Sequence, residues 1–517
     1  MLATTFTTAP SFASAKLITV EVNVSRGIKF HLVGMADTAV RESRQRMYTA
    51  LRNNDYHWPG QRITVNLIPA GLKKSGTHLD LAMAIGILAA SGQLPAGRLE
   101  SYLFVGELSL GGDVREAQDV YNILALAKRS AFKGVVLHTS PENERLFEGA
   151  GVEMVSVKHL NDAVAFVRTG QKRAPKPYAQ TANTDRYKRV HLCFSDVAGQ
   201  RPLKRALAAA AAGGHHALVV GPPGCGKTML ASRMPSILPP INPQAKEEVL
   251  RIQSSVDGPI LDTFNGMRPA ISIGSGTSMS KLFGSKQEGG MYRRAFGGLL
   301  HLDELGTYSP ALLDKLLEPM NGHDATILAT MNPCRCGNYA HPSKSCSCSA
   351  ASLDTYRKKI SGALLDRFDI IITAQPELWQ LSDEEVETSL RIQDQVERAW
   401  RIQIERQGCQ NAQLEPDQLE AVMGFGKKEW RYLYALIAKE KLSTRSHHSL
   451  MALARTLADL NGIDSVKSEH LNMALAFRVL RQENVTTSKP AGNTERSKGN
   501  AQVIIAGKRI QLGGGKV

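Results

Sequence analysis

The chain has no apolar run reaching the roughly eighteen residues needed to cross a bilayer, which excludes an ordinary membrane-spanning helix. Its first twenty residues lack a basic start followed by an apolar block, so no secretory signal is expected. Their Ser/Thr richness and lack of acids faintly suggest an organellar transit segment. Yet they run directly into Leu17-Ile-Thr-Val-Glu-Val-Asn-Val24, which alternates like a strand of the folded protein. Cysteine is scarce, seven in 517 residues, which argues against a disulfide framework and fits a cytoplasmic chain. Acidic residues are also in deficit, 48 against 63 Lys and Arg, leaving a formal charge of +15. That excess points to a polyanionic partner, nucleic acid being the commonest; a basic surface without a specific partner is the competing reading. The remainder, 43% hydrophobic and 21% charged, is an ordinary soluble mixture. It is too long for one core, so two or three domains are expected.

The pattern along the chain changes four times, and no internal repeat is present. Residues 1–168 read as an α/β unit, with strands at Leu17–Val24, Lys29–Val33, Arg62–Leu67 and Tyr102–Leu108. Helical periodicity marks Thr38–Asn53, Leu79–Ala90, Val120–Ser130 and Leu160–Arg168 in the same unit. An aperiodic linker rich in Lys, Pro, Ala and Thr covers 169–187. From 188 to 378 short apolar strands alternate with helices, the signature of a parallel, helix-covered sheet. Expected elements there are a strand over His216–Gly221, a helix over Lys227–Leu238, and strands over Gly298–Leu302 and Ala325–Thr330. Residues 379–482 are helical throughout, giving an all-α third unit, and 483–517 read as a mobile basic tail.

Gly221-Pro222-Pro223-Gly224-Cys225-Gly226-Lys227-Thr228 fits the phosphate-binding pattern G-x-x-x-x-G-K-[ST] at every required position. Glycines let backbone N–H groups turn inward around phosphate oxygens, and the helix that follows adds its positive end. Lys227 is placed to reach the β- and γ-phosphates of ATP and the Thr228 hydroxyl to ligate Mg²⁺, and Met229 is counted with the binding segment. A random match in a chain this long has a chance of about one or two in a hundred. The flanking strand and helix are those the motif requires.

About 75 residues on, Leu299-Leu-His-Leu-Asp-Glu304 delivers two acids at the end of an apolar strand. Asp303 is assigned to the Mg²⁺ shell and Glu304 to polarising the attacking water as general base. His301, which interrupts the apolar run, reads as a packed core residue. Asn332 ends the next strand, where a polar side chain can sense the γ-phosphate. Arg367, in Leu364-Leu-Asp-Arg-Phe-Asp369, suits an arginine finger for a neighbouring subunit's nucleotide. Taken alone, each of these two is more often a turn residue or a surface ion pair; the phosphate loop favours the functional role.

Four of the seven cysteines, Cys334, Cys336, Cys346 and Cys348, fall within one short segment with His341 between them. Four thiolates in tetrahedral reach suit Zn²⁺, although C-x-C is tighter than the usual C-x₂-C, and reduced surface cysteines are the alternative.

Taken together these motifs resemble the ComM/YifB-type, Mg-chelatase-like AAA+ ATPases. The resemblance is carried by Phe194-Ser-Asp-Val-Ala-Gly-Gln200, by Gly213-Gly-His-His216 leading into the phosphate loop, and by Met331-Asn-Pro-Cys-Arg-Cys-Gly337. Ser361-Gly-Ala-Leu-Leu-Asp-Arg-Phe-Asp369, Ser443-Thr-Arg445 and Ala454-Arg455 follow in the same order, and the likeness spans about residues 15–480. It implies a hexameric ATP-driven motor on single-stranded or branched DNA that promotes branch migration as incoming DNA is integrated during transformation. Recombination or competence proteins are its implied partners. It also makes Arg445 and Arg455 the alternatives for a second nucleotide sensor on the lid, with Arg455 preferred. Val33-Gly-Met-Ala-Asp-Thr-Ala-Val-Arg-Glu-Ser43 and Phe104-Val-Gly-Glu-Leu-Ser-Leu110 are similar to the Lon-protease-like domain of that family. Active proteases of that fold use a Ser–Lys dyad. Here Thr77-His78 and Tyr121 stand at those positions, with Lys74 and Ser75 out of register, so an inactive domain is expected. The fold expectation is therefore α/β: a Lon-like N-terminal domain, a P-loop AAA+ parallel-sheet core and an all-α C-terminal lid.

Two departures bear on the resemblance. The stretch between Glu304 and Asn332 is shorter than the family pattern by about one β-hairpin, and Arg268-Pro269 continues with Ala-Ile-Ser where the family has Phe-Arg and a His-His pair. An ATPase that remodels a protein partner is therefore the competing function.

Overall fold

A computed structural model describes residues 1–35, 37–72, 77–172, 192–256, 260–284, 289–339, 341–374 and 388–485, together with two short strands near the C-terminus. The N-terminal domain is built on a seven-stranded sheet. Its strands are β1 (Leu2–Ser11), β2 (Ser14–Ser25), β3 (Phe30–Val33), β4 (Arg62–Ile68), β5 (Tyr102–Phe104), β6 (Gly134–Leu137) and β7 (Glu153–Ser156), in the order β3-β4-β2-β1-β5-β6-β7. Alternation in β2 sends Ile18, Val20, Val22 and Val24 into the core, as its sequence requires. The helix Asp80–Ala90 is apolar nearly all round and is buried along its whole length, packing on β1 and β2. The N-terminal Ser/Thr-rich segment is β1, paired antiparallel with β2 from Leu2↔Asn23 to Ser11↔Ser14. Lys74 and Ser75 lie outside the described residues, as does 173–191, which holds most of the linker.

The second module carries the parallel sheet that the alternating pattern predicts. Its strands are β8 (Ala217–Val220), β9 (Ala270–Ile273), β10 (Leu299–Leu302), β11 (Thr326–Met331) and β12 (Ile370–Thr373), in the order β12-β8-β11-β10-β9, every neighbour parallel. β8, β10 and β11 are buried at every residue, which is why they read as continuous apolar runs. β8 lies between β11 and β12, so the crevice at its C-terminal end is the switch point where a sheet of this kind binds its ligand. The expected helix over Lys227–Leu238 breaks in two, Lys227–Ala231 and a 3₁₀ turn at Met234–Ile237. Pro235 explains the break: it lacks an N–H and its ring opposes the carbonyl four residues back, that of Ala231. Between β10 and β11 the chain forms only a 3₁₀ turn and the short helices Pro310–Lys315 and Pro319–Gly322. The hairpin missing from the sequence is thus missing from the fold.

The C-terminal unit is helical: Ser389–Gln407, Pro416–Val422, Lys427–Glu440, Thr444–Leu460 and Ser468–Val485. The last helix runs into the segment read as a tail, where Val503–Ile505 also pairs antiparallel with Lys508–Ile510. One apolar core joins this helical unit to the second module: Ile392, Val396, Leu453 and Leu457 pack with Leu203, Leu207, Ile237 and Ile370. The N-terminal domain is fastened as well. Leu250 and Ile260 of the second module enter its core, and Asn122 Nδ2 donates to the Arg251 carbonyl at 2.8 Å. No described helix is long and apolar enough to cross a membrane.

Candidate active site

The phosphate loop leaves the end of β8 at Gly221, whose N–H donates to the Met331 carbonyl at 3.1 Å and ties the loop to β11. A side chain at Gly221 would strike the Ala374 carbonyl, so only glycine fits this close approach. Gly224 and Gly226 take φ of +80° and +85°, left-handed conformations that glycine adopts without strain. Cys225 is buried beneath the turn and its thiol donates to the Pro222 carbonyl; Pro223 and Gly224 are exposed at the rim. The helix Lys227–Ala231 starts immediately after, its free N–H groups facing the loop. Met229, expected among the nucleotide-binding residues, is half exposed on that helix.

Lys227 gathers the loop and its neighbouring strand around one ammonium. Its Nζ donates to the carbonyls of Gly221 (2.7 Å) and Pro222 (2.8 Å) and to Asn332 Oδ1 (3.1 Å). Burial pulls its pKa down, while the charges of Asp303 and Glu304 help retain the proton. Thr228 Oγ1 donates to Asp303 Oδ1 at 3.2 Å, so the two residues assigned to the metal are already in contact. They form a hard, all-oxygen pair of the kind Mg²⁺ selects. Glu304 is exposed and held at φ +54° by its N–H, which donates to Thr330 Oγ1 at 3.2 Å. Thr330 Oγ1 in turn donates to Asp303 Oδ1. One β11 hydroxyl therefore orients both acids, a role that sequence reasoning missed. Its signal was only that Thr330 lies two residues before Asn332 on the same strand. His301 is buried, as expected. Its Nδ1 meets Ser272 Oγ at 2.8 Å, and burial lowers its pKa, favouring the neutral ring.

Arg367 lies apart from Lys227. It donates to the Leu317 carbonyl (2.9 Å), Asn321 Oδ1 (3.0 Å) and the Ala363 carbonyl (2.9 Å). Arg445, from the lid, donates to the same Asn321 Oδ1 at 3.0 Å, so two arginines converge on one acceptor. The preference for Arg455 over Arg445 as a sensor is corrected by the packing. Arg455 is 1% exposed, and its donors go to Asp459 and to the carbonyls of Ile463, Asp464 and Val422, all within the lid. It is a core residue of that unit, whereas Arg445 is exposed.

The four clustered cysteines converge. Their sulfurs all lie within 4.8 Å of one another, with 3.4 Å between Cys334 and Cys336, 3.5 Å between Cys336 and Cys346, and 3.7 Å between Cys334 and Cys346. The His341 Nδ1 accepts the Ser343 and Lys344 N–H groups. In the N-terminal domain Thr77 Oγ1 donates to Glu107, and the Tyr121 N–H donates to Ser254 Oγ of the ATPase module. Neither residue forms a serine–lysine dyad.

The family model described as Magnesium chelatase, subunit ChlI matches residues 193–380. The model described as Subunit ChlI of Mg-chelatase matches 20–141, and that for the ChlI C-terminal region matches 386–478. The chain is 33% identical over 503 residues to Competence protein ComM of Haemophilus influenzae, spanning 93% of this chain and 98% of that protein. It is 32% identical over 490 residues to YifB of Escherichia coli, spanning 90% and 95%. Over 100 residues, 19% of this chain and 21% of the relative, it is 29% identical to DNA repair protein RadA of Campylobacter jejuni. With a complete phosphate loop, an Asp–Glu pair at the end of β10 and near full-length similarity, the chain belongs to the ComM/YifB family of Mg-chelatase-like AAA+ ATPases.

Proposed function

We propose that this protein is an ATP-hydrolysing ring motor that acts on DNA, driving branch migration as incoming DNA is recombined during natural transformation. The observation that carries the ATPase half is a pair of adjoining contact sets, Lys227 with Asn332 and Thr228 with Asp303, Thr330 and the Glu304 N–H, brought together by the chain adjacency of Lys227 and Thr228. ATP fits this cradle: N–H groups of 224–228 receive phosphate oxygens, and Lys227 moves from loop carbonyls to the β- and γ-phosphates. Thr228 and Asp303 would hold Mg²⁺, which when bound neutralises the charge on the transferring phosphate. Glu304 orients and deprotonates the attacking water, and Asn332 reads the γ-phosphate.

Arg367 and Arg445, half-exposed and exposed, touch neither Lys227 nor its partners. They suit a neighbouring subunit's nucleotide, which supports a ring; we assign six copies from the family resemblance. The DNA half rests on the +15 charge and on the ComM relative, whose name is a competence protein. Recombination or competence proteins are the expected partners. The four cysteines are read as ligands of Zn²⁺.

Steady-state ATP hydrolysis, with and without single-stranded and branched DNA at two salt concentrations, tests the proposal. Stimulation that fades at high salt is the expected result, because backbone contacts release counterions. The absent hairpin between β10 and β11 favours one alternative, an ATPase that remodels a protein. Turnover indifferent to DNA would replace the first reading with that one.

A further inference from the structure

The cysteine cluster does more than sit near the nucleotide site; it forms part of its wall. A tetrathiolate zinc ion with Zn–S of about 2.3 Å places its sulfurs about 3.8 Å apart. The spacings of 3.4, 3.5 and 3.7 Å are close to that tetrahedron and far from the 2.05 Å or so of a disulfide. Two backbone groups already support the sulfurs. The Tyr339 N–H donates to Cys334 Sγ at 3.3 Å, and the Cys336 N–H donates to Cys348 Sγ at 3.4 Å. Outer-shell hydrogen bonds of this kind orient ligands around a metal.

Three links tie this knuckle to the nucleotide site, two through Asn332 and one directly to the phosphate loop. Cys334 follows Asn332 by two residues, so fixing its sulfur fixes the sensor's backbone. At the turn of the knuckle, Gly337 takes φ +80° and lies flat on Pro223 of the phosphate loop. A Cβ built there would fall 2.5 Å from Pro223 Cδ and 2.6 Å from Cγ. On the far side, the helix Ala350–Lys358 closes the ring of contacts. Its Tyr356 hydroxyl donates to the Asn332 carbonyl at 3.0 Å, and its Arg357 stacks on Tyr339 at 4.4 Å.

We propose that zinc bound by Cys334, Cys336, Cys346 and Cys348 is a strut of the nucleotide pocket. It presses Gly337 against Pro223 and sets Asn332, so that ATP binding depends on zinc occupancy. The inference rests on reading 221–228 as the ATP site. It makes the motor sensitive to zinc removal, a control applied some distance from the phosphates but through a single van der Waals contact.

The test uses the full chain. Bound metal is measured by atomic absorption, and affinity for a fluorescent ATP analogue is measured by titration. The wild type is expected to carry one zinc per chain and bind the analogue. Cys346→Ser combined with Cys348→Ser is expected to lose the zinc and bind about tenfold more weakly, the equivalent of one lost contact. Because that variant's loop could collapse, Gly337→Ala provides the second arm. It is expected to keep the zinc while weakening binding about tenfold, since it pushes on Pro223 without touching a ligand. A wild type without zinc would overturn the metal site. Full affinity in both the zinc-free variant and Gly337→Ala would overturn the strut while leaving the ATP site standing. A zinc-loaded wild type that fails to bind the analogue would sink the ATP-site reading itself, and this inference with it.

Discussion

Replacing Arg455 with alanine separates a structural arginine from a nucleotide sensor. The side chain is 1% exposed, and its guanidinium donates twice to Asp459 Oδ1 (2.8 and 3.1 Å) and once each to the carbonyls of Ile463 (2.6 Å), Asp464 (2.6 Å) and Val422 (3.4 Å). Burial works against its charge, and Asp459 beside it supports the charge. Removing one partner of a buried ion pair costs about 3–5 kcal/mol. The lower end applies here, because Arg406 still grips both oxygens of Asp459 at 2.8 and 2.9 Å. With an m-value of about 3 kcal/mol per M, a loss of about 3 kcal/mol lowers the urea midpoint by about 1 M. Trp400 and Trp430, both in the lid, report the transition by fluorescence. Arg445→Ala is the matched control: an exposed change away from the core, expected within about 0.5 kcal/mol of wild type in stability. An unchanged midpoint in Arg455→Ala, accompanied by weakened nucleotide binding, would refute the structural assignment.

Glu304→Gln should bind ATP normally and hydrolyse none, since it keeps the φ +54° turn and loses only the base; normal turnover would assign the base elsewhere. Lys227→Ala should abolish tight binding, checked by the same nucleotide titration, because it removes the ammonium held by the loop carbonyls and Asn332. Arg367→Ala should retain ATP binding yet lower the turnover of mixed assemblies with wild type out of proportion to its share; strictly proportional turnover would argue that Arg367 acts on no neighbour. Asp119→Asn should stabilise the docking of the N-terminal domain above pH 7. Burial raises the Asp119 carboxyl to about 6, although Asn122 and Ser255 donate to it. A raised carboxyl gives stability that is whole below its unfolded range near 4 and is lost as pH rises through about 6. The asparagine avoids that loss, on the order of 2–3 kcal/mol, and tolerates the left-handed φ of +59°. Melting curves at pH 5 and pH 8 check it: the gain belongs at pH 8 alone.

What could be read in advance follows the range of the forces involved. The phosphate loop is a local device whose glycines, lysine and threonine must stand at fixed offsets, so 221–228 could be identified without a fold. Asp303 and Glu304 follow for the same reason, because a buried strand needs a sharp exit to present two acids. Arg445 and Arg455 could not be told apart. Both lie on the helix Thr444–Leu460, and only the packing of Asp459 and the 463–464 turn shows which face is inside. Strand β1 was hidden for a different reason. Its residues Leu2–Ser11 are mostly small and polar, and Thr5, Thr7 and Thr8 are buried between neighbouring strands, with Thr5 Oγ1 donating to the Ala82 carbonyl at 3.0 Å. Thr5 is placed by that hydrogen bond and not by apolar alternation, and a hydrogen bond leaves no period in a sequence. The His215-His216 pair carried family resemblance but no visible role. His216 takes the Ile327 N–H on Nδ1 at 3.0 Å and meets the Met320 carbonyl at 3.2 Å, stitching β8 to β11, while His215 meets Thr456 of the lid at 2.8 Å.

The missing hairpin decides how DNA must be held if the motor reading is right. From Glu304 to Ala325 the chain forms one 3₁₀ turn and two short helices with no β-hairpin, and Leu312, Leu313, Leu316 and Met320 pack inward. A motor without that projection cannot concentrate its grip in one inserted element. It is left with a chain whose Lys and Arg exceed its Asp and Glu by fifteen, and contacts spread over phosphates rather than bases. Such a grip is sequence-blind, and its affinity falls linearly with the logarithm of salt, by about 0.7 in log K per phosphate contact on a single strand. A steep slope with no base preference would fit the spread surface. A shallow slope, or a clear preference among sequences, would place DNA recognition in a specific loop and make the lost hairpin irrelevant.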